Sequence, residues 1–190
     1  MKGYIYTMFA GADPGQGWKL NDPIFGKVPT LGACMPNIRR VVTPGDYIFI
    51  ISGRVPSVRQ YVVGGFEVAE KIDALAAFDR FPHLRQQKRE DGTLEGNIII
   101  TAEGKQSPHD YHSNFEKRIE NYVVGRNPVV LERPDEVKRA RAESVDLLQE
   151  VFSKKSERVG ELVGRWRKLD PTQITRVLDW MESIRAGAKL

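Results

Sequence analysis

PTLGACMPNIRRVVTPGDYIFIISG, residues Pro29–Gly53, joins a proline-bounded segment to a tight turn and then to the most apolar run of the chain. Thr43-Pro44-Gly45-Asp46 has the chemistry of a type II turn: proline presets φ at the second position, and glycine supplies positive φ at the third. Tyr47–Ile51 (YIFII) is built from aromatic and β-branched residues, which predicts a strand buried on both faces. Cys34, Pro36, Asn37, Arg39 and Arg40 stand just before the turn. A small thiol, a proline and two guanidinium groups beside a rigid strand make a place where a polar ligand is gripped.

Outward from this stretch the early chain is strand-rich. Gly3–Ala10 (GYIYTMFA) predicts the first strand. Residues 11–27 form a long glycine- and proline-rich loop, and Trp18, Ile24 and Phe25 are the groups that anchor it by packing. Tyr61–Glu70 (YVVGGFEVAE) predicts a strand whose Gly64-Gly65 pair signals a bulge or bend. Residues 72–79 predict a short helix, 81–95 an exposed connection, and Asn97–Thr101 (NIIIT) a further strand. After the loop SPHDYHSN at 107–114, short strands are expected at 122–124 and 129–131.

The pattern changes at Pro134. Proline followed by Asp135 and Glu136 suits a helix start. Val137, Ala140, Ser144, Leu147, Leu148, Val151 and Phe152 then recur at helical spacing, and Val159, Leu162, Val163 and Trp166 predict a second helix. Asp170-Pro171 opens a third, with Ile174, Val177, Leu178, Met181 and Ile184 on its apolar face. The expected fold is α+β: a small curved sheet or β-barrel with a C-terminal set of three amphipathic helices. Residues 1–133 form the strand-rich domain and 134–190 a helical extension, packed on it or on a partner.

Composition narrows the function classes. The 190 residues are 41% hydrophobic and 28% charged, enough to bury a core. A net charge of +4 and a pI near 9.2 favour an anionic partner. The basic runs KRARAES and GRWRKLD are interleaved with acids, as in solvated faces. One cysteine permits no intrachain disulfide and no cysteine-based zinc site. His109 and His112 offer two ligands from one loop but lack an obvious third, so neither a metal nor another cofactor is expected. No run approaches the roughly 20 apolar residues of a membrane span. The N-terminus is too short and strand-like for a secretory signal, which leaves the cytoplasm as the expected location.

Binding a base requires aromatic faces for stacking and a few fixed polar groups for its edge. Trp18 lies in a glycine-flanked loop where a large ring can close over a ligand, and Tyr61 stands at a strand start. Tyr4, Tyr6 and Phe25 are further aromatic candidates, whereas Tyr47 and Phe66, inside strands, are better explained as core. Arg39 and Arg40 precede the YIFII strand, with Arg54 and Arg59 after it, and arginine suits bidentate contact with phosphate or a base edge. The Asn37 amide offers a donor and an acceptor. Cys34 would be a nucleophile only if Arg39 and Arg40 lowered its pKa; with the histidines far along the chain, a small packed residue is the better account. His109-Asp110-Tyr111-His112 is the other catalytic-looking cluster, suited to general acid–base chemistry. Paired carboxylates, a Walker loop, a serine triad and a dinucleotide fingerprint are not evident.

Thr30, Leu31, Ala33, Cys34, Pro36, Ile38 and Arg39, then Gly45-Asp46 before the strand and Gly53 after it, resemble the nucleotide modification associated domain 2 (Nmad2) family. Two positions depart from its pattern. Met35 stands where a lysine is common, which removes a cation, and Tyr47 stands where tryptophan is common. The match covers Thr30–Gly53, with looser support from the first strand and YVVGG, and none from the C-terminal helices. The resemblance implies a role near DNA base modification or defence against modified phage DNA. The glycine–aspartate turn is also similar to the small barrels of the PUA, ASCH and EVE group, which implies a PUA-like barrel and an aromatic pocket for a modified base. The expected function is a binding module for a nucleotide or modified base, its pocket built from the Trp18 loop and the Cys34–Arg40 segment. The alternative is an enzyme on modified nucleotides or DNA using His109 and His112. The C-terminal helices offer a homodimer or partner contact.

Overall fold

The computed structural model describes residues 1–187. In chain order the strands are β1 (Gly3–Thr7), β2 (Thr30–Leu31), β3 (Tyr47–Ile51), β4 (Val62–Ile72), β5 (Gln87–Lys88), β6 (Leu94–Glu95), β7 (Tyr122–Val130) and β8 (Trp166–Leu169). The helices are α1 (Pro36–Val41), α2 (Ala74–Arg80), α3 (Glu116–Ile119), α4 (Pro134–Phe152), α5 (Val159–Leu162) and α6 (Pro171–Arg185). The fold is α+β. Six strands form a mixed sheet in the order β2-β7-β4-β3-β1-β8, and β5 pairs with β6 in a separate hairpin. β1 runs parallel to β3 and antiparallel to β8. Of the two expected forms, sheet or barrel, the barrel does not form: among the described residues β2 and β8 end the order without pairing with each other.

By their contacts, residues fall into two compact units. The first holds Met1–Lys19, Gly45–Glu67 and the chain from Asn127 onward; the second holds Leu20–Pro44 and Val68–Arg126. The C-terminal helices therefore share a unit with β1 and β3.

In the first unit the turn before β3 forms as its residues dictate, with Gly45 at φ +88°. Ile48 to Ile51 are fully buried. The Gly64-Gly65 pair marks an irregular stretch: the β3–β4 register shifts between Ile50 and Ile51. A Cβ on Gly65 would stand 2.4 Å from a Phe49 ring carbon, so the glycine is what lets that ring lie on β4. Beside the register shift, the Val62 amide donates to the Ser144 hydroxyl on α4 at 3.0 Å. This explains a buried serine within an apolar helical stripe. A reciprocal capping box between Asp170 and Gln173, each bond 2.9 Å, starts α6 where the sequence indicates. α6 lies against β1, where a Cβ on Gly3 would come within 2.7 Å of Ile174.

The C-terminal set is two amphipathic helices rather than three. α5 is a single turn, and Gly164 at φ +68° breaks it before β8. Trp166 thus belongs to a strand. The apolar faces of α4 and α6 are buried within the unit: Leu147, Leu148, Val177 and Met181 are all 3% exposed or less. Those faces pack within the chain, one of the two arrangements expected for them. No helix of the described residues is long and apolar enough to cross a membrane.

In the second unit Ala77, Phe81, Leu84, Ile98, Ile100, Tyr122 and Val124 pack into one cluster. The expected strand at 97–101 is absent. Its isoleucines are buried, but the backbone finds only isolated bridges, Arg85 with Ile98 and Ile100 with Gln106. An apolar run reports burial and does not by itself supply a ladder partner. The segment before the tight turn forms the helix α1, and the two short strands expected around Asn127-Pro128 are one continuous β7.

Replacing Gly65 with alanine should force the Phe49 ring to move and cost about 1–3 kcal/mol, as overpacked cores do. A urea titration of Gly65→Ala checks this; an unchanged midpoint would contradict the packing described.

Candidate functional site

The first unit carries a cleft of about 740 Å³ at the C-terminal end of β1. Its walls come from Thr7, Met8 and Ala10, the segment Arg54–Gln60, Val145 of α4, and Glu157–Glu161. Met8, Val55, Pro56, Val58 and Val159 give apolar surface, and Arg54, Arg59 and Arg158 give cations. Arg158 approaches Glu161 at 3.5 Å in an exposed pair. Arg54 and Arg59 are exposed and enter no ion pair among the described residues.

The wall formed by the loop after β1 is fixed from below. Gly53 lies so close to it that a Cβ there would be 2.0 Å from the Phe9 carbonyl oxygen. The Gly53 amide donates to the Ala12 carbonyl at 2.7 Å, and the Gly11 amide to the Arg54 carbonyl at 2.9 Å. Asp13 is 1% exposed. Its carboxylate accepts two bonds from Arg141 of α4, at 2.9 and 2.7 Å. The same guanidinium donates to the Arg59 carbonyl at 2.5 Å and lies 4.7 Å over the Tyr61 ring. Burial, and then the Asp13 charge, push the Tyr61 phenol up to about 12. Tyr61 is a fully buried platform under Arg141 and has no surface for stacking.

Trp18 and Phe9 form an edge-on pair at 5.2 Å and 86°. Both are open to solvent, at 44% and 59%. Phe9 lies between the cleft-lining Met8 and Ala10, and the Trp18 amide donates to the Asp13 carbonyl at 3.1 Å. The aromatic pair therefore rides on the wall that Asp13 and Arg141 hold.

The second unit uses the Cys34–Arg40 segment differently. Asp22 accepts amide bonds from Gly32 and Ala33, both at 2.8 Å, and from Cys34. Asn97 donates to the same carboxylate at 2.9 Å. Arg39 has no exposed surface. Its guanidinium donates to four carbonyls: Cys34 at 2.8 Å, Asn121 at 2.5 Å, Ala33 at 3.1 Å and Arg118 at 3.0 Å. Burial lowers the Arg39 pKa to about 10. Arg39 is thus a strut between loops and not a ligand contact. Cys34 is half-buried beside the same Asp22 carboxylate. Burial first, and then the Asp22 charge, push its thiol up to about 12, the reverse of what a nucleophile needs. Asn37 and Arg40 are exposed on α1.

His109 and His112 lie in the second unit. His112 Nδ1 is 2.5 Å from Asp110 Oδ1, and Gln106 donates to Asp110 Oδ2 at 2.7 Å. The Asp110 side chain is 1% exposed and that of His112 37%, so a buried carboxylate orients a half-open imidazole. Tyr111 beside them is 87% exposed. Among the described residues no group of three or more His, Cys, Asp or Glu could hold a metal ion.

The structure therefore brings Trp18, Arg54 and Tyr61 to one wall system in the first unit, and places Cys34, Asn37, Arg39 and Arg40 in the second. Asp13, Arg141 and Arg158 were missed by sequence reasoning. Asp13 and Arg141 are 128 positions apart, and neither carries a local motif that announces the other.

No protein-family model matches the chain, and no curated protein sequence matches it. Among solved structures it is similar to that of human THYN1 protein in complex with 5-methylcytosine-containing DNA. That similarity is 11% identity over 96% of this chain and 98% of the other, at a TM-score of 0.38. A likeness this loose carries no argument about function.

Two outcomes follow from the second unit. Arg39→Lys replaces a fork that satisfies four carbonyls with one ammonium, so it should cost about 2–4 kcal/mol in a urea titration; a loss below about 0.5 kcal/mol would contradict the strut. The native Cys34 thiol should resist a disulfide reagent at pH 8 and react at the rate of a free thiol once the chain is unfolded. Labelling equally fast in both states would contradict the partial shielding and raised pKa of the thiol.

Proposed function

We propose that the first unit is a nucleic-acid-binding module that takes a nucleotide at the Arg54–Arg59 cleft. The observation that carries this reading is the pairing of two exposed arginines with apolar walls in one cleft, beside an exposed aromatic pair. Arg54 and Arg59 suit phosphate oxygens, and the Met8–Val55–Val58 surface and the Trp18 and Phe9 rings suit a base. The cleft volume of about 740 Å³ falls within the range of small-molecule sites. The narrower reading, that the base is a modified one in DNA and that the protein serves base modification or phage defence, rests on the Nmad2 resemblance across Thr30–Gly53.

A second reading has one observation in its favour, the orientation of His112 by the buried Asp110 carboxylate. It assigns the chain an acid–base role on DNA instead of a binding role.

Titration of labelled oligonucleotides with cytosine or 5-methylcytosine tests the first reading. Trp18→Ala should weaken binding by about 1–3 kcal/mol, the usual contribution of a stacked base. Arg54→Gln with Arg59→Gln should flatten the dependence of log K on log salt by about 1.4–1.8, roughly 0.7–0.9 per phosphate contact. Unchanged affinity in all these variants would overturn it. Base release or strand breaks that vanish in His112→Ala would move the function to the second unit.

A further inference from the structure

β8 ends the sheet as a short, charged edge strand, but one residue in it is out of keeping with edge protection. Trp166, Arg167 and Lys168 are all exposed, and only Leu169 is buried. Charged residues on an outermost strand are explained by the need to deter pairing with other chains. That need does not explain an exposed indole in their midst. Trp166 is 39% exposed, and its ring is held at 6.1 Å from Tyr4.

The register sorts the side chains. Tyr6 opposes Trp166 and Tyr4 opposes Lys168, whereas Arg167 opposes Ile5. Trp166 and Lys168 therefore share one face, about 7 Å apart along the strand. Arg167 turns to the other face, where it donates to the Leu162 carbonyl at 2.7 Å and lies 4.2 Å over the Phe152 ring. Arg165 and Lys168 are exposed and enter no ion pair among the described residues.

β8 also adjoins the cleft. Thr7 lines the cleft, and its amide donates to the Arg165 carbonyl at 3.1 Å. Its hydroxyl donates to the Gly164 carbonyl at 3.3 Å. The cleft-lining segment Glu157–Glu161 leads into β8 within a few residues.

We infer that β8 continues the nucleic-acid footprint: a single strand held at the cleft runs on along this edge, with one unpaired base stacked on Trp166 and backbone phosphates at Arg165 and Lys168. This rests on the cleft reading above and adds the substrate class, an unpaired strand longer than the cleft can hold. A paired duplex would not offer a free base face to Trp166, and an acidic polypeptide would gain little from an indole.

Anisotropy titrations with labelled dT4, dT12 and a 12-base-pair duplex test it on the full chain. The wild type should bind dT12 more tightly than dT4, by on the order of tenfold if one base stacks. Trp166→Ala should abolish that gain and leave dT4 unchanged, and Trp166→Phe should restore part of it. Lys168→Gln, which leaves the indole in place, should reduce the salt slope for dT12 only. Equal affinity for dT4 and dT12 overturns the inference alone. A length gain that survives Trp166→Ala, preference for the duplex, or equal binding of polyglutamate also overturns it. Absence of binding to every oligonucleotide overturns the cleft reading as well.

Discussion

The bidentate pair between Asp13 and Arg141 is the constraint on which the proposed site depends. It joins the loop after β1 to α4 across 128 positions, and the same guanidinium reaches the Arg59 carbonyl and the Tyr61 ring. Asp13 is 1% exposed, so losing its partner would strand a buried carboxylate. Breaking such a pair costs about 3–5 kcal/mol, far more than a surface pair contributes. A loop rich in glycine and proline is thereby held in one position. Phe9 and Trp18 stand open to solvent without the ordering penalty that a mobile loop would impose on a ligand.

The second unit uses the same kind of group for a different end. Arg39 spends its guanidinium on four carbonyls and presents nothing outward. Asp22 gathers three consecutive amides at the start of the same segment. Much of the Thr30–Arg39 motif is therefore explained by architecture. Gly32 admits the Tyr122 ring, since a Cβ there would come within 2.5 Å of it, and Cys34 packs half-buried beside Asp22. A motif that is specific in sequence need not touch a ligand; it can instead specify how a loop is tied down.

The legible parts of the sequence were those governed by local rules. The Pro44-Gly45 turn, the β3 strand, the glycine pair in β4 and the Asp170 cap each follow from residues within a few positions of one another. The illegible parts depended on distant partners. Asn97–Thr101 has the composition of a strand but no ladder to join. Trp166 fits a helical stripe, yet Gly164 and the open side of β1 make it a strand. Of the residues at the proposed cleft, Trp18 and Arg54 stand out in the sequence, because a large ring in a glycine loop and a cation after a buried strand are unusual in themselves. Arg39 looked equally promising, and only its burial distinguishes it from Arg54.

The central claim is that nucleic acid meets the first unit at the cleft and its flanking aromatic residues. Photo-crosslinking of the full chain to a dT12 oligonucleotide carrying 5-iodouracil, with the adducts mapped by mass spectrometry, tests it most directly. The account predicts adducts on the peptides holding Phe9, Trp18 and Trp166. Adducts confined to Asn37–Arg40 or to the His109–His112 loop would contradict it.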